Sequence, residues 1–158
     1  MVDWSVSIDD PRAPDVVALL ERHLEFAHSV TPPDDVHALD LDGLLDPSVT
    51  FFSLREGGVL LGIGAIKQID DSHFELKSIH TALEARGRGV GRAVVEHLID
   101  RARERGAARV SLETGSMEEF APSRALYAGF GFAETEPFGT YSPSRASTFM
   151  TLCLQPEA

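Results

Sequence analysis

Apolar residues recur along the chain with two different periods, which divide it into strands and helices. Apolar residues at every second position of residues 2–8 (VDWSVSI) predict a strand. Apolar residues at intervals of three and four across Pro14–Ser29 predict an amphipathic helix, which the sequence TPPDD ends. Residues 36–45 predict a short second helix with Asp34 or Asp35 as its N-cap. The chain is therefore expected to begin with one strand and two helices.

Three strand-like runs follow in the middle of the chain, separated by short turns. They cover Val49–Arg55, Val59–Ile69 and Phe74–Thr81. A Gly-Gly pair between the first two runs is a hairpin signal, and Asp70 and Asp71 turn the chain before the third. The pattern predicts an antiparallel meander.

Helices and strands alternate in the remaining part of the chain. One apolar stripe predicts a helix over Val90–Arg105, and Gly106 is expected to end it. A strand over Arg109–Thr114, a short helix over Pro122–Ala128 and a last strand over Thr148–Leu154 follow. The predicted order of elements is β-α-α-β-β-β-α-β-α-β.

Composition limits the class of protein. The chain has 158 residues, of which 43% are hydrophobic and 25% charged, and no internal repeat, so we expect a single domain over residues 1–158. No apolar run reaches the length of a membrane helix, and the N-terminus lacks the pattern of a signal peptide. These features predict no membrane association and a cytoplasmic location. The one cysteine, Cys153, is expected to be a small core residue on the last strand.

Positive charge is concentrated in one stretch of an acidic chain. The formal net charge is -11, yet seven of the 14 lysines and arginines lie between Arg86 and Arg109. The net charge argues against nucleic acid as a partner. The local excess of arginine predicts a specific anionic ligand at that stretch. For Arg101, Arg103, Arg105 and Arg109, a solvated basic helix face is the preferred interpretation.

The sequence RGRGVGR, residues 86–92, lies between a predicted strand and a predicted helix. Glycines let the backbone curl around a phosphate, and the N-terminus of a helix attracts anions. The loop lacks the Lys-Ser/Thr of a Walker motif, and its G-x-G-x-G spacing does not match a dinucleotide fingerprint. It therefore predicts a phosphate or pyrophosphate ligand of another kind, with a merely flexible loop as the alternative.

The spacing R-x-x-G-x-G, formed by Arg86, Gly89 and Gly91, resembles the acetyl-CoA signature of the GNAT superfamily of N-acetyltransferases. The sequence LYAGFGF at 126–132 resembles the LYxxxGF signature of the same family, and the predicted order of elements matches it. The longer pattern, which adds the sequences ELKSIHTALEARGRGVG, SLETG, PFGTY and TFM, looks similar to small bacterial acetyltransferases of the YsnE type. The resemblance covers most of the chain. It implies an α/β (α+β) fold with a mixed, mostly antiparallel sheet that is splayed between strands 4 and 5 and flanked by helices.

The resemblance also implies a binding site for acetyl-CoA as acyl donor, without a metal. Backbone groups at the splayed edge of strand 4 would pair with the pantetheine arm, and one N–H would polarise the thioester carbonyl. Many relatives carry Asn ahead of the helix that corresponds to Pro122–Ala128, and its amide bonds the pantetheine. Here that contact is either missing or made by Ser123. The implied edge residues are Ile79, His80 and Thr81. The implied pyrophosphate loop consists of Arg86, Gly87, Arg88, Gly89, Val90, Gly91 and Arg92. For Arg88 and Arg92, a plain surface position is the alternative.

Tyr127 matches the signature tyrosine, which in the family anchors the sulfur or protonates the leaving thiolate. An ammonium acceptor must first lose a proton, and Glu75, His80 and Glu113 are open alternatives for the base. Each also has a structural interpretation; Glu75, for example, can simply pair with Lys77.

A regular fourth strand would place alternate side chains on one face, whereas a bulge would change which residues lie on that face. The alternating set consists of Glu75, Lys77, Ile79 and Thr81.

No Cys/His/Asp arrangement suggests a covalent acyl-enzyme, so direct transfer in a ternary complex to an amine of a small molecule is expected. The acceptor pocket should lie between the first two helices and Glu136–Ser147, while His23 is expected to be structural. The acidic composition weakly favours a cationic acceptor. A non-catalytic acyl-CoA-binding module, or an enzyme with another acyl donor or acceptor, remains an alternative. Homodimers are common in the family, and the resemblance allows one.

Overall fold

The computed structural model describes residues 4–30 and 41–154. The strands are β1 (Trp4–Ile8), β2 (Val49–Glu56), β3 (Val59–Gln68), β4 (His73–Thr81), β5 (Arg109–Gly115), β6 (Ala133–Thr135) and β7 (Ser147–Cys153). The helices are α1 (Pro14–Val30), α2 (Leu41–Leu44), α3 (Val90–Glu104) and α4 (Ala121–Gly129), with single 3-10 turns at Leu83–Ala85 and Glu118–Phe120. Within the described ranges, no helix is long and apolar enough to cross a membrane.

The strands form one seven-stranded sheet in the order β1-β2-β3-β4-β5-β7-β6. Neighbouring strands are antiparallel except β4 and β5, which are parallel. The predicted fold class, a mixed and mostly antiparallel sheet flanked by helices, is confirmed. Strand β6 was not predicted, because its three residues are all exposed and show no alternation.

Helix α3 packs closely on β3, because glycines lie beneath it. A Cβ atom on Gly62 would be 2.6 Å from Cγ1 of Val90, and one on Gly64 would be 2.8 Å from Cγ1 of Val94. Val90, Val94 and Leu98 are fully buried in this contact. The close approach fixes where α3 begins, directly after β4 and the glycine-rich loop.

Gly106 ends α3 as predicted, with a φ of 88° that favours glycine. The second predicted helix is described only over Leu41–Leu44, and its two candidate N-caps, Asp34 and Asp35, lie outside the described residues.

The prediction that Cys153 belongs to the core was wrong. Cys153 is exposed at the last position of β7, opposite Arg109 at the first position of β5. Cys153 and its register partner Arg109 are both exposed, whereas Leu154, the next residue, is buried. The cysteine therefore lies on the exposed side of this end of the sheet.

β4 and β5 pair only at their starts. The register joins His73 to Arg109, Phe74 to Val110 and Glu75 to Ser111, and no further pair follows. Beyond Glu75, β4 continues without a strand on its β5 side, while β5 stays paired with β7 to its end. The two strands therefore splay apart, as the family resemblance implies.

A bulge in β4 lies at the splay point. Between the residues opposite Lys77 and His80, β3 has one residue and β4 has two. One of the two is Ser78, whose φ of 54° is rare for a residue other than glycine. The regular alternation is broken here, so His80 rather than Ile79 lies on the same face as Glu75 and Lys77.

Candidate active site

The splay opens a cleft of about 570 Å³ between β4 and β5. Its walls come from both strands, the loop before α3, and side chains of α1 and α4. All predicted site residues except Arg88 line it: Glu75, Ile79, His80, Thr81, Arg86, Gly87, Gly89, Val90, Gly91, Arg92, Glu113, Ser123 and Tyr127.

The glycine-rich loop presents the N-terminus of α3 to one end of the cleft. Gly87 and Gly89 have φ angles of 81° and 85°, and no atom lies within 4 Å of a Cβ added at either residue. Backbone conformation, rather than crowding, therefore requires glycine at both positions. Gly89 is the N-cap of α3 and supplies no capping side chain, which leaves the first N–H groups of the helix suited to an anion.

The arginines of the loop have different surroundings. Arg86 and Arg92 line the cleft. For Arg88 the sequence left open a place near phosphates or a plain surface position. Its guanidinium donates to both carboxylate oxygens of Glu56 at 3.0 Å and lies over the ring of Trp4. The Nε1 of Trp4 donates to the same carboxylate at 3.1 Å. Arg88 thus ties the loop to β1 and β2 instead of lining the cleft.

Two histidines contact each other in the wall of the cleft, with their ring planes tilted by 45°. The rings of His80, on β4, and His23, on α1, are 4.6 Å apart. Burial, with smaller effects from His23 and Arg86, lowers the pKa of His80 to about 3, and burial also lowers the pKa of His23. Both rings are therefore neutral near pH 7. His23 was expected to be structural, and its buried Nδ1 has no hydrogen-bond partner among the described residues.

Glu75, Lys77 and Tyr141 form a closed triangle of hydrogen bonds in the cleft. Lys77 Nζ donates to Glu75 Oε2 at 2.9 Å and to Tyr141 Oη at 2.8 Å, and Tyr141 Oη donates to Glu75 Oε2 at 2.6 Å. The side chains of Lys77 and Glu75 are only 9% and 6% exposed. The sequence left open whether Glu75 pairs with Lys77, and the structure contains this ion pair.

Tyr141 was missed by the sequence analysis. It belongs to an irregular segment between β6 and β7, and its ring packs against Phe138 and Phe149 with centroids 5.2 and 5.4 Å away. Burial and the carboxylate of Glu75 raise the pKa of Tyr141, so its hydroxyl keeps its proton. The available signal was the sequence PFGTY at residues 137–141, in the segment where the acceptor pocket was expected, but no role was assigned to its tyrosine.

Tyr127 lies deep in the cleft and is 7% exposed. Burial and the nearby charge of Glu113 raise the pKa of Tyr127 well above its usual value, so the phenol stays protonated. The start of α4 is held in place by Arg124, which donates to the carbonyl oxygens of Gly115 at 2.6 Å and Met117 at 2.9 Å. These bonds fix the helix that carries Tyr127 and Ser123 against the end of β5.

Among the described residues, no group of His, Cys, Asp and Glu side chains is arranged to hold a metal ion. The cleft instead combines backbone donors at one end, a protonated phenol inside, and carboxylates on the α1 face of the sheet. This arrangement can bind a phosphate-bearing ligand and move protons beside it.

Solved structures share the fold. A Klebsiella pneumoniae protein assigned as an acyl-CoA N-acyltransferase aligns with a TM-score of 0.78 and 24% identity, covering 96% of this chain and 98% of that one. A Bacillus subtilis acetyltransferase solved in complex with CoA aligns with a TM-score of 0.72 and 17% identity, covering 96% and 99%.

Sequence comparisons identify the family. The model of the Acetyltransferase (GNAT) family matches residues 14–132. The uncharacterized N-acetyltransferase YsnE of Bacillus subtilis is 44% identical over 92% of this chain and 97% of its own length. The uncharacterized N-acetyltransferase YedL of Escherichia coli is 41% identical over 96% and 95%. The chain belongs to the GNAT family of acetyltransferases and is an enzyme of the acyltransferase class.

Proposed function

We propose that this enzyme transfers an acetyl group from acetyl-CoA to an amine of a small molecule, by direct attack within a ternary complex. One observation carries the proposal: the unpaired edge of β4, the glycine-rich loop before α3 and the buried phenol of Tyr127 all face one cleft. A cleft with these three walls suits a long ligand that has a diphosphate at one end and a reactive group at the other.

The residues present suit acetyl-CoA, which when bound supplies an acetyl group activated as a thioester. The backbone of residues 79–81 has no strand partner on its β5 side and can pair with an extended amide-bearing arm. The N–H groups at the start of α3, with Arg86 and Arg92, provide donors and positive charge for a diphosphate. The hydroxyl of Ser123, on the opposite wall, is available for a further polar contact.

Tyr127 is the proposed proton donor. Because burial and Glu113 raise its pKa, the phenol carries its proton throughout the neutral range and can release it only to a group that gains negative charge beside it. A leaving thiolate is such a group.

The surroundings of the three base candidates favour a carboxylate. His80 has a pKa of about 3 and accepts a proton poorly near neutrality. Glu75 and Glu113 both line the cleft, and the hydrogen bonds from Lys77 and Tyr141 to Glu75 both fall on Oε2. We propose that one of these two carboxylates receives the proton of the acceptor ammonium, directly or through water.

Calorimetric titration with acetyl-CoA, with NAD and ATP as controls, tests the donor site. We expect binding of acetyl-CoA alone, and its loss in the double variant Arg86→Ala with Gly89→Val. Gly106→Val is the matched control, because Gly106 has a similar φ of 88° and open space around it but lies at the other end of α3. Thermal unfolding gives a second readout of the same binding. At about 100 times the Kd, acetyl-CoA adds about 2.7 kcal/mol of stability, which raises the Tm by several degrees.

Release of CoA in the presence of amines tests the reaction. Turnover with an amine supports the proposal, whereas binding of acetyl-CoA without turnover across a broad amine panel would favour a non-catalytic acyl-CoA-binding module. Equal binding of NAD or ATP would refute the assignment of the donor.

A further inference from the structure

Two phenylalanines form an aromatic wall in the cleft. Phe26, on α1, and Phe120, in the 3-10 turn before α4, meet edge to face with ring centroids 5.4 Å apart. Both line the cleft, and Phe26 remains 37% exposed. A large aromatic side chain left open to a cleft favours an apolar group packed against it.

The charges that line the same cleft are mostly negative outside the glycine-rich loop. Among its described lining residues, three carboxylates, Glu75, Glu113 and Glu119, accompany a single ammonium, that of Lys77. That ammonium already donates to Glu75 and to Tyr141. The neutral histidines of the wall add no positive charge, and the arginines lie in the loop proposed for the diphosphate.

We propose that the acceptor is a primary amine on an aromatic, apolar body that carries no carboxylate of its own, the arylalkylamine class. This inference rests on the proposed function and names its substrate class. The carboxylates attract the ammonium of such an acceptor, and the wall of Phe26 and Phe120 packs against its ring. An amino acid would bring its own carboxylate, a fourth negative group, next to the three of the cleft. A polyamine would leave the aromatic wall uncovered.

The test compares 2-phenylethylamine, L-phenylalanine and spermidine by the rate of CoA release at saturating acetyl-CoA. The first two share the aromatic ring and differ by a carboxylate, whereas the third is a polycation without a ring. We expect kcat/KM for 2-phenylethylamine to exceed that for the other two by about tenfold or more, as expected for an unpaired like charge or an unfilled apolar contact. An equal or higher value for L-phenylalanine or spermidine would overturn the inference.

Two matched pairs of variants test the two walls separately. Glu119→Lys should reduce the preference for 2-phenylethylamine over L-phenylalanine at least threefold, while Glu118→Lys, an exposed neighbour that does not line the cleft, should leave it unchanged. Phe26→Ala should lower kcat/KM for 2-phenylethylamine about tenfold. Leu24→Ala, on the same helix and 36% exposed but outside the cleft, should not. Equal effects within either pair would overturn the inference.

Calorimetry with acetyl-CoA on the same samples separates this inference from the proposed function. If acetyl-CoA binds and another amine is acetylated in preference, the arylalkylamine class is wrong and the proposed function stands. If acetyl-CoA does not bind, both fail.

Discussion

Arg86 and Arg88 belong to the same short loop, yet their guanidinium groups have different partners. Arg86 lines the cleft, whereas Arg88 is held by Glu56 and Trp4 on the outer side of the loop. An arginine that is already paired with a carboxylate has little positive charge to offer a second anion. We therefore expect Arg86 to bind the anionic ligand and Arg88 to hold the loop in place.

We predict that Arg86→Ala raises the Kd for acetyl-CoA about tenfold, because it removes a charge-assisted contact worth about 1.5 kcal/mol. Arg88→Ala is the matched control and should change the Kd less than threefold. Calorimetric titration of both variants at one ionic strength measures the difference. A larger effect of Arg88→Ala would mean that Arg88 leaves Glu56 to bind the ligand.

Tyr127→Phe removes only a hydroxyl from the cleft. We predict that kcat falls about 100-fold, the usual contribution of a positioned general acid, while the KM for acetyl-CoA changes little. Initial-rate kinetics with one acceptor amine measures both constants. An unchanged kcat would show that Tyr127 is only a packing residue.

At the scale of elements, the contact between α3 and β3 depends on the absence of side chains. We predict that Gly64→Ala lowers the free energy of unfolding by about 2 kcal/mol, because its Cβ would be 2.8 Å from Val94 and 2.9 Å from Leu98. Gly129→Ala is the control, since no atom lies within 4 Å of its added Cβ. Urea unfolding of both variants tests the prediction, and equal stabilities would contradict it.

The elements that the sequence predicted well are those with a regular apolar period. Helix α3 was placed within one residue, and each strand of the meander was recovered. The bulge at Ser78 and the exposed strand β6 were not located, because neither leaves a periodic signal. The bulge matters most, since it decides that His80 shares a face with Glu75.

Local motifs predicted one side of the site, and distant residues form the other. The residues of the glycine-rich loop and Tyr127 belong to short signatures, so the sequence alone selects them as candidates; their chemical roles stay predictions. Tyr141, Phe26 and Phe120 come from three separate segments and meet only when the chain folds. One domain over residues 1–158, a cytoplasmic location and the lack of a nucleic-acid partner remain predictions from composition.

At the scale of the whole molecule, buried histidines make stability depend on pH. Burial lowers the pKa of His23, His73, His80 and His97 in the folded chain, that of His80 to about 3 from an ordinary 6.5. Below pH 6.5 the unfolded chain therefore binds protons that the folded chain does not. Their contribution to stability is complete above about pH 6.5 and is lost as the pH falls, by at most about 1.4 kcal/mol per pH unit for each histidine.

We predict that the free energy of unfolding of His80→Gln declines less steeply than that of the wild type between pH 6.5 and 4.5. Urea unfolding at several pH values measures the two slopes. The pKa values of Asp9 and Asp15 lie below 3.8 because of Ser53 and Arg55, so these carboxyls titrate mainly below this range and equally in both proteins. Parallel slopes would show that His80 titrates normally.

The short pairing of β4 with β5 also leaves the sheet in two weakly connected parts, β1 to β4 and β5 to β7. Among the described residues, it is the one strand pairing between the four strands before it and the three after it, and it extends over His73 to Glu75 alone. Such a seam opens at a lower free energy than the rest of the sheet, so the amide hydrogens beside it should exchange first. A ligand that pairs with the unpaired edge of β4 and lies against β5 would take the place of a missing strand. Binding of acetyl-CoA would then couple the two halves of the sheet into one cooperative unit for as long as the ligand stays bound.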